Sequence, residues 1–257
     1  MNRLRSDPKA LAFVLLLAAT AAWGATFVVV KGATAHNSVL GFLAWRFLPE
    51  TLPDERRIRL GLAGQINRYV LILKERTFIT HAAMGASGSF CMFAYLAGSS
   101  PVFIQGFGLS PSQFALVFGL CSCGLIAGSQ INARLIPRVG LSFMLTWISR
   151  ISLAATTTLA ILAFAGVHVL AAIVAPLVIA LSCQGFSNGN TSVGALSRHA
   201  SHAGSASALM GMAQFSVGAT SGLLVGLFTD GTPRGMAALM MGGALCGVIA
   251  NHFRPRS

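Results

Sequence analysis

The sequence predicts an all-α integral membrane protein with about seven transmembrane helices, and three observations predict it. Of 257 residues, 54% are hydrophobic and only 9% are charged, against about 25% charged in an ordinary soluble domain. Too little polar material remains to wet the surface of a water-soluble fold. The apolar residues also gather in blocks of about 20, enough helix to cross about 30 Å of hydrocarbon at about 1.5 Å per residue. Finally, Lys and Arg are concentrated in the short links between blocks, where charge sets orientation in a bilayer. A net charge of +12 in a soluble chain would suggest nucleic acid. Its placement in these links assigns it to the lipid bilayer instead, and a nucleic-acid partner is not expected.

The first block, Ala10 to Val30, follows Arg3, Arg5 and Lys9. A secretory leader has the same polarity, but this apolar stretch runs on to Lys31, so a retained span is expected. Val39 to Leu48 covers only about 15 Å, half a bilayer. Pro49 to Thr77 is polar and holds Arg56, Arg57, Arg59, Arg68, Lys74 and Arg76. Within it Leu60, Leu62, Ile66, Tyr69, Val70 and Leu73 recur near helical spacing, which predicts an amphipathic helix on the membrane surface.

Six further blocks are expected at about Phe78–Ile104, Ser112–Ala133, Leu141–Phe164, Val169–Asn188, Gly204–Phe228 and Pro233–Asn251. The links after the second and fourth blocks carry Arg134 and Arg138, then Arg198, His199 and His202; the tail carries Arg254 and Arg256. The links after the first and third are uncharged, and that after the fifth holds only Asp230 and Arg234. Alternate links are therefore basic, which places them, Pro49–Thr77 and the C-terminus in the cytoplasm. The N-terminal basic start belongs on the same side, and the short Val39–Leu48 piece does not easily return the chain there. The first 48 residues conflict with the topology of the rest.

Several residues could carry function. The segment Gly128 to Gly140, GSQINARLIPRVG, places two arginines at the membrane surface, where they could bond helix carbonyls and pin neighbours, or serve only as anchors. Gly218, Gly222 and Gly226 recur every four residues and make one flat helical face, for static packing or for a sliding contact. Gln105, Gln113, Gln130, Gln184, Asn188, Asn190 and Gln214 are read as polar residues inside the blocks, and Phe90, Phe93, Tyr95 and Phe186 lie near some of them. A cavity for amphipathic drugs needs this mixture; interhelical hydrogen bonding, worth about 0.6 kcal/mol each, is the plainer use of such amides. The cavity candidates are Phe90, Phe93, Tyr95, Gln184, Asn188 and Gln214. Arg150 sits mid-block, at a cost of roughly 2.5 kcal/mol or more if it is held at the bilayer centre. It either snorkels or lines a cavity.

The acidic residues are Asp7, Glu50, Asp54, Glu55, Glu75 and Asp230, none inside a block. Proton-coupled carriers use an intramembrane carboxylate whose pKa burial can lift, and these blocks offer none. Cys91, Cys121, Cys123, Cys183 and Cys246 read as small buried hydrophobes. His199 and His202 lack further ligands nearby, so no metal is expected. No cofactor and no enzymatic motif is indicated.

From about residue 47 the chain resembles the Bcr/CflA group of multidrug transporters in the major facilitator superfamily. The matching strings are RFLPETLPDERR (46–57), SPVFIQGFGLSPSQFALVFG (100–119), GSQINARLIPRVG (128–140) and AGSASALMGMAQFSVGATSG (203–222). The resemblance implies a twelve-helix carrier in the bacterial inner membrane, exporting drugs such as bicyclomycin, sulfonamides or chloramphenicol in exchange for protons. Residues 78–257 would be its C-terminal six-helix half and 49–77 the cytoplasmic linker. Asn132, Arg134, Arg138 and Gly140 would be its repeated cytoplasmic-loop motif. Residues 1–48 resemble instead the opening of EamA drug/metabolite transporters, through WGATFVVVK (23–31) and FLAWRF (42–47). A fusion at residues 45–49 would explain the topological conflict. A six-helix half alone leaves its cavity wall facing lipid, so the chain is expected to be incomplete as a machine unless a homodimer rebuilds the cavity. The alternatives are an EamA-like metabolite exporter and a membrane remnant that transports nothing.

Overall fold

Long apolar runs without internal charge leave the backbone one way to satisfy its polar groups in hydrocarbon, which is to bond within each segment as helix. The computed structural model describes residues 62–199, 202–228 and 230–255, and among them it contains helices and no strand. The chain divides into two compact units, Met1–Gly64 and Gln65–Ser257. The expected Ala10–Val30 span, the Val39–Leu48 piece and the EamA-like segment lie outside the described residues.

The helices are α1 (Leu62–Lys74), α2 (Arg76–Ser100, prolonged by a π-helical turn at Pro101–Gly106), α3 (Pro111–Val139), α4 (Leu141–Phe164), α5 (Leu170–Leu196), α6 (Ala203–Phe228) and α7 (Arg234–His252). All but α1 are long and apolar enough to cross a membrane, giving six spans among the described residues. The chain is a multi-pass membrane protein.

Local sequence sets the ends. Ser110 caps α3: its Oγ accepts from the Gln113 amide at 3.3 Å, and Gln113 Oε1 accepts from the Ser110 amide at 2.9 Å. Pro111 follows at the first helical position, where a missing N–H costs nothing. Gln113 is thus a cap rather than a buried amide. Gly140, at φ +79°, separates α3 from α4, a conformation glycine reaches without strain. Between α6 and α7, the Asp230 carboxylate accepts from the Thr232 hydroxyl at 2.6 Å and amide at 2.8 Å. These bonds hold its carboxyl below the usual carboxylate range.

Two expectations need correction. The basic segment after Ala133 is not a link: α3 continues through Arg134, Pro137 and Arg138 to Val139. Similarly, α5 runs past Asn188 to Leu196. Both helices extend beyond the hydrocarbon their apolar blocks match.

Helix α2 packs against α6, α7 and α5; α5 packs against α3, α4 and α2; α4 also packs on α7. Renaming α2, α3, α4 as α5, α6, α7 reproduces the same pairs. The bundle is therefore two three-helix repeats, and since the helices alternate in direction, the repeats are inverted. Burial follows position: 44% of the apolar window of α2 is buried, but only 11% of that of α3. The main core joins Tyr95, Phe103, Leu159, Ile173, Leu177, Met236 and Met240. A second cluster joins Ile72 of α1 to Phe78, Ala195, Ala206, Leu209 and Met210.

One end of the bundle is basic. There Arg76 Nε donates to the Phe253 carbonyl at 2.9 Å, and Glu75 pairs with His199 and, at 3.6 Å, with Arg198. Helix α1 lies at this end, its Gln65 Nε2 bonded to Ser205 Oγ at 3.1 Å. It keeps Ile66, Val70 and Leu73 exposed along one stripe, as an interfacial helix does.

Candidate functional site

Several polar side chains of the spans meet where α2, α4, α5 and α7 pack. A cleft there is lined by Ser87, Ser149, Ser152, Gln184, Ser187 and Thr191 among small residues such as Gly88 and Gly243. Its volume, about 30 Å³, has room for ordered water, whereas drug-sized sites run to about 300 Å³ or more.

Gln184 of α5 enters this cleft and donates from Nε2 to the Gly88 carbonyl of α2 at 2.8 Å. Gly88 makes room for it, since a methyl group there would collide with the Gln184 amide. One turn earlier on α2, a methyl group at Gly85 would lie 2.7 Å from Gln214 Nε2 of α6 and 3.3 Å from Thr191 Oγ1 of α5. Two of the three candidate amides thus converge on successive turns of α2, each opposite a glycine. Asn188 does not join them: its side chain is exposed, while its carbonyl accepts from Thr191 and Ser192.

The aromatic candidates lie among packed helices. Tyr95 is 2% exposed and stacks on Phe118 at 5.7 Å. Phe93 is half-buried between Gly218, where a methyl group would lie 2.8 Å from its ring, and Phe215, edge-on at 6.4 Å. Phe90 abuts Gly243 of α7. Of these rings, the Phe93–Phe215 pair reaches the surface of the bundle, because Phe215 is 68% exposed.

The Gly128–Gly140 motif divides by structure. Arg134 and Arg138 project, exposed, from the last two turns of α3. Asn132 points inward to Asn190 of α5, and the two amides exchange hydrogen bonds of 3.2 and 2.8 Å. Asn190 is 4% exposed, so each amide satisfies the other where water is scarce. Gly124, Gly128 and Gly185 bring the same two helices together: a methyl group at Gly128 would land on the Ser182 carbonyl oxygen, and one at Gly185 on that of Leu125.

The other glycine run behaves differently. Gly218 packs on Phe93, but a methyl group at Gly222 or Gly226 would meet no atom within 4 Å among the described residues. The flat face at Gly222 and Gly226 is open in this bundle.

Sequence reasoning read Arg254 only as a charge of the cytoplasmic tail and passed over His81. Arg254, 8% exposed, donates from Nη2 to the Ser142 carbonyl at 2.9 Å, Ser142 Oγ at 3.0 Å and Thr146 Oγ1 at 3.3 Å; burial lowers its pKa, though a guanidinium remains charged. His81 of α2 is 4% exposed, donates from Nδ1 to the Thr77 carbonyl at 2.8 Å and fills the space left by Gly194. Neither position stands out in the hydropathy pattern. No cluster of His, Cys, Asp or Glu able to hold a metal occurs among the described residues.

Comparison with known proteins gives this bundle a family. The Major Facilitator Superfamily matches residues 10–222, a range that takes in the segment resembling EamA transporters. The chain is 31% identical over 238 residues to an uncharacterised MFS-type transporter, YdgK, of Bacillus subtilis, covering 88% of this chain and 58% of that protein. It is 30% identical over 242 residues to a bicyclomycin resistance protein homolog of Haemophilus influenzae, covering 90% of this chain and 57% of that protein. The chain thus spans less than two thirds of the length of either relative.

Proposed function

Because the chain belongs to the Major Facilitator Superfamily, a family of carriers and not of enzymes, we propose that its six spans are the C-terminal half of a Bcr/CflA-like drug exporter. The observation that carries the drug reading is the similarity to the bicyclomycin resistance homolog across 90% of this chain. In this superfamily the substrate site lies between two six-helix halves that rock about it. Gln184 and Gln214, opposite successive turns of α2, supply polar groups, and the Phe93–Phe215 pair of α2 and α6 supplies aromatic surface, the two ingredients an amphipathic drug requires.

On this reading the basic end of the bundle, with the C-terminus, faces the cytoplasm of a bacterial cell. Protons are the coupling ion. The only described carboxylates, Glu75 and Asp230, lie at span ends, so the proton-binding carboxylate belongs to the facing half. That half is a further stretch of a longer protein, because a second copy of this chain could rebuild the cavity wall but would bring only the same acidic residues.

The test is resistance in an efflux-deficient strain. Residues 1–257 expressed alone are expected to leave bicyclomycin and chloramphenicol tolerance at the vector level. Residues 62–257 placed in the bicyclomycin resistance homolog, in exchange for its own second half, are expected to restore tolerance, and Gln184→Ala to lower it. A chimera that reaches the membrane in full amount yet exports neither drug would overturn the proposal.

A further inference from the structure

Arg150 is a full charge far inside a span. It lies nine residues beyond Leu141, the first residue of α4, so its Cα is about 13 Å along the helix, and the half-thickness of the hydrocarbon is about 15 Å. The structure settles which way it faces. Leu145, Ile148, Ser149, Thr156 and Leu159 form the buried side of α4, against α5 and α7. Arg150 is exposed on the opposite side, along with Phe143, Trp147 and Ile151, at 54%, 48% and 42% exposure.

Helical side chains lean toward the helix N-terminus, and Arg150 follows this: its guanidinium lies 5.6 Å from the centre of the Trp147 ring. Phe143 continues the ladder, 6.0 Å from Trp147. The two rings carry the charge toward the basic end of the bundle. Stacking covers one face of the guanidinium plane and leaves its edge donors free. No described carboxylate is available to them: Glu75 pairs with Arg198 and His199, and Asp230 lies between α6 and α7, at the other end. The surrounding face is apolar and holds water poorly. The anion a bilayer itself offers is the phosphate of a lipid headgroup, which matches a guanidinium edge in bidentate fashion.

The geometry points to a lipid-binding site on the outer face of α4, in which Arg150, stacked on Trp147, takes the phosphate of an anionic phospholipid from the leaflet at the basic end. The lipid's chains lie along Phe143, Trp147 and Ile151. The site does not depend on the transported substrate.

Trp147 reports on its own neighbour. In the 257-residue chain carrying Trp23→Phe and Trp45→Phe it is the only remaining indole. The protein is reconstituted in vesicles of phosphatidylglycerol and phosphatidylcholine in equal parts, with bromine on the chains of one lipid or the other. Brominated phosphatidylglycerol is expected to quench Trp147 as though enriched about fivefold beside it, the factor that corresponds to about 1 kcal/mol per basic residue near anionic lipid. Arg150→Gln removes a costly charge from lipid and is expected to insert normally while losing that preference; Arg150→Lys is expected to keep part of it. Equal quenching by both lipids, or a preference that persists in Arg150→Gln, would overturn the site. A preference abolished by added inorganic phosphate would assign the guanidinium to a free anion instead. Quenching by neither lipid would mean that protein covers this face, and would also overturn it.

Discussion

The inverted repeat makes the α3–α5 crossing the counterpart of the α2–α6 crossing, yet the two are built differently. At α3–α5, Gly128 and Gly185 bring backbone onto backbone, and the Asn132–Asn190 pair holds the register. At α2–α6, the glycines Gly85 and Gly218 instead face side chains: the ends of Gln214 and Met210, and the Phe93 ring. A backbone contact cannot repack, because each helix is rigid. A contact filled by Gln and Met can, because their rotamers are many and close in energy. The same topology therefore contains one fixed joint and one adaptable joint, and the adaptable one holds one of the candidate substrate amides, Gln214.

This contrast can be broken most directly at Gly185. Gly185→Ala is expected to separate α3 from α5 at a cost of about 1–3 kcal/mol, the usual range for overpacking a tight core, read as a lowered unfolding midpoint in detergent. An unchanged midpoint would mean that the crossing is soft after all. The Asn pair comes next. Asn132→Ala and Asn190→Ala should each destabilise by roughly 1 kcal/mol, and a double-mutant cycle should recover a coupling near 0.6 kcal/mol, with about 1.7 kcal/mol as the ceiling seen for such pairs in membranes. Additive effects would show that the reciprocal bonds hold nothing. The smallest effect belongs to the adaptable joint and the open face: Gly85→Ala, which displaces the mobile ends of Gln214 and Met210 and crowds Thr191 Oγ1, and Gly222→Ala, which meets open space among the described residues, should both change stability by less than about 1 kcal/mol, Ala being the better helix former. A large loss at Gly222 would mean that something covers that face in the folded protein.

The six spans were legible in the sequence because hydropathy responds to bilayer thickness. For the same reason it stopped short at α3 and α5. A 29-residue α3 is about 43 Å long, more than the hydrocarbon, and nothing in an apolar count marks helix that continues into the headgroups. Gly140 was the true stop signal, and it was visible. The site was legible by residue type but not by register. Gln184 and Gln214 stand out as amides in apolar runs, but their arrival opposite Gly88 and Gly85 depends on how far each helix slides along its neighbour. Asn132 read as a motif residue and Asn190 as an isolated amide, and only packing makes them a pair. The spacing of Gly218, Gly222 and Gly226 defines a flat face without saying what rests on it; Phe93 rests on the first and, among the described residues, nothing rests on the other two.

Arg254 has a consequence for how the protein is made. The Ser142 carbonyl that accepts from it lies 112 residues earlier in the chain. At roughly 5–20 residues per second, a ribosome takes roughly 6–22 s to span that distance. During that interval the first turns of α4 are already in the membrane without their final partner, and the insertion machinery or water must occupy the oxygens of Ser142 and Thr146. The half-bundle is fastened at this end by a side chain that follows α7, so the first turns of α4 keep an open partner site until the last of the six described spans has been made.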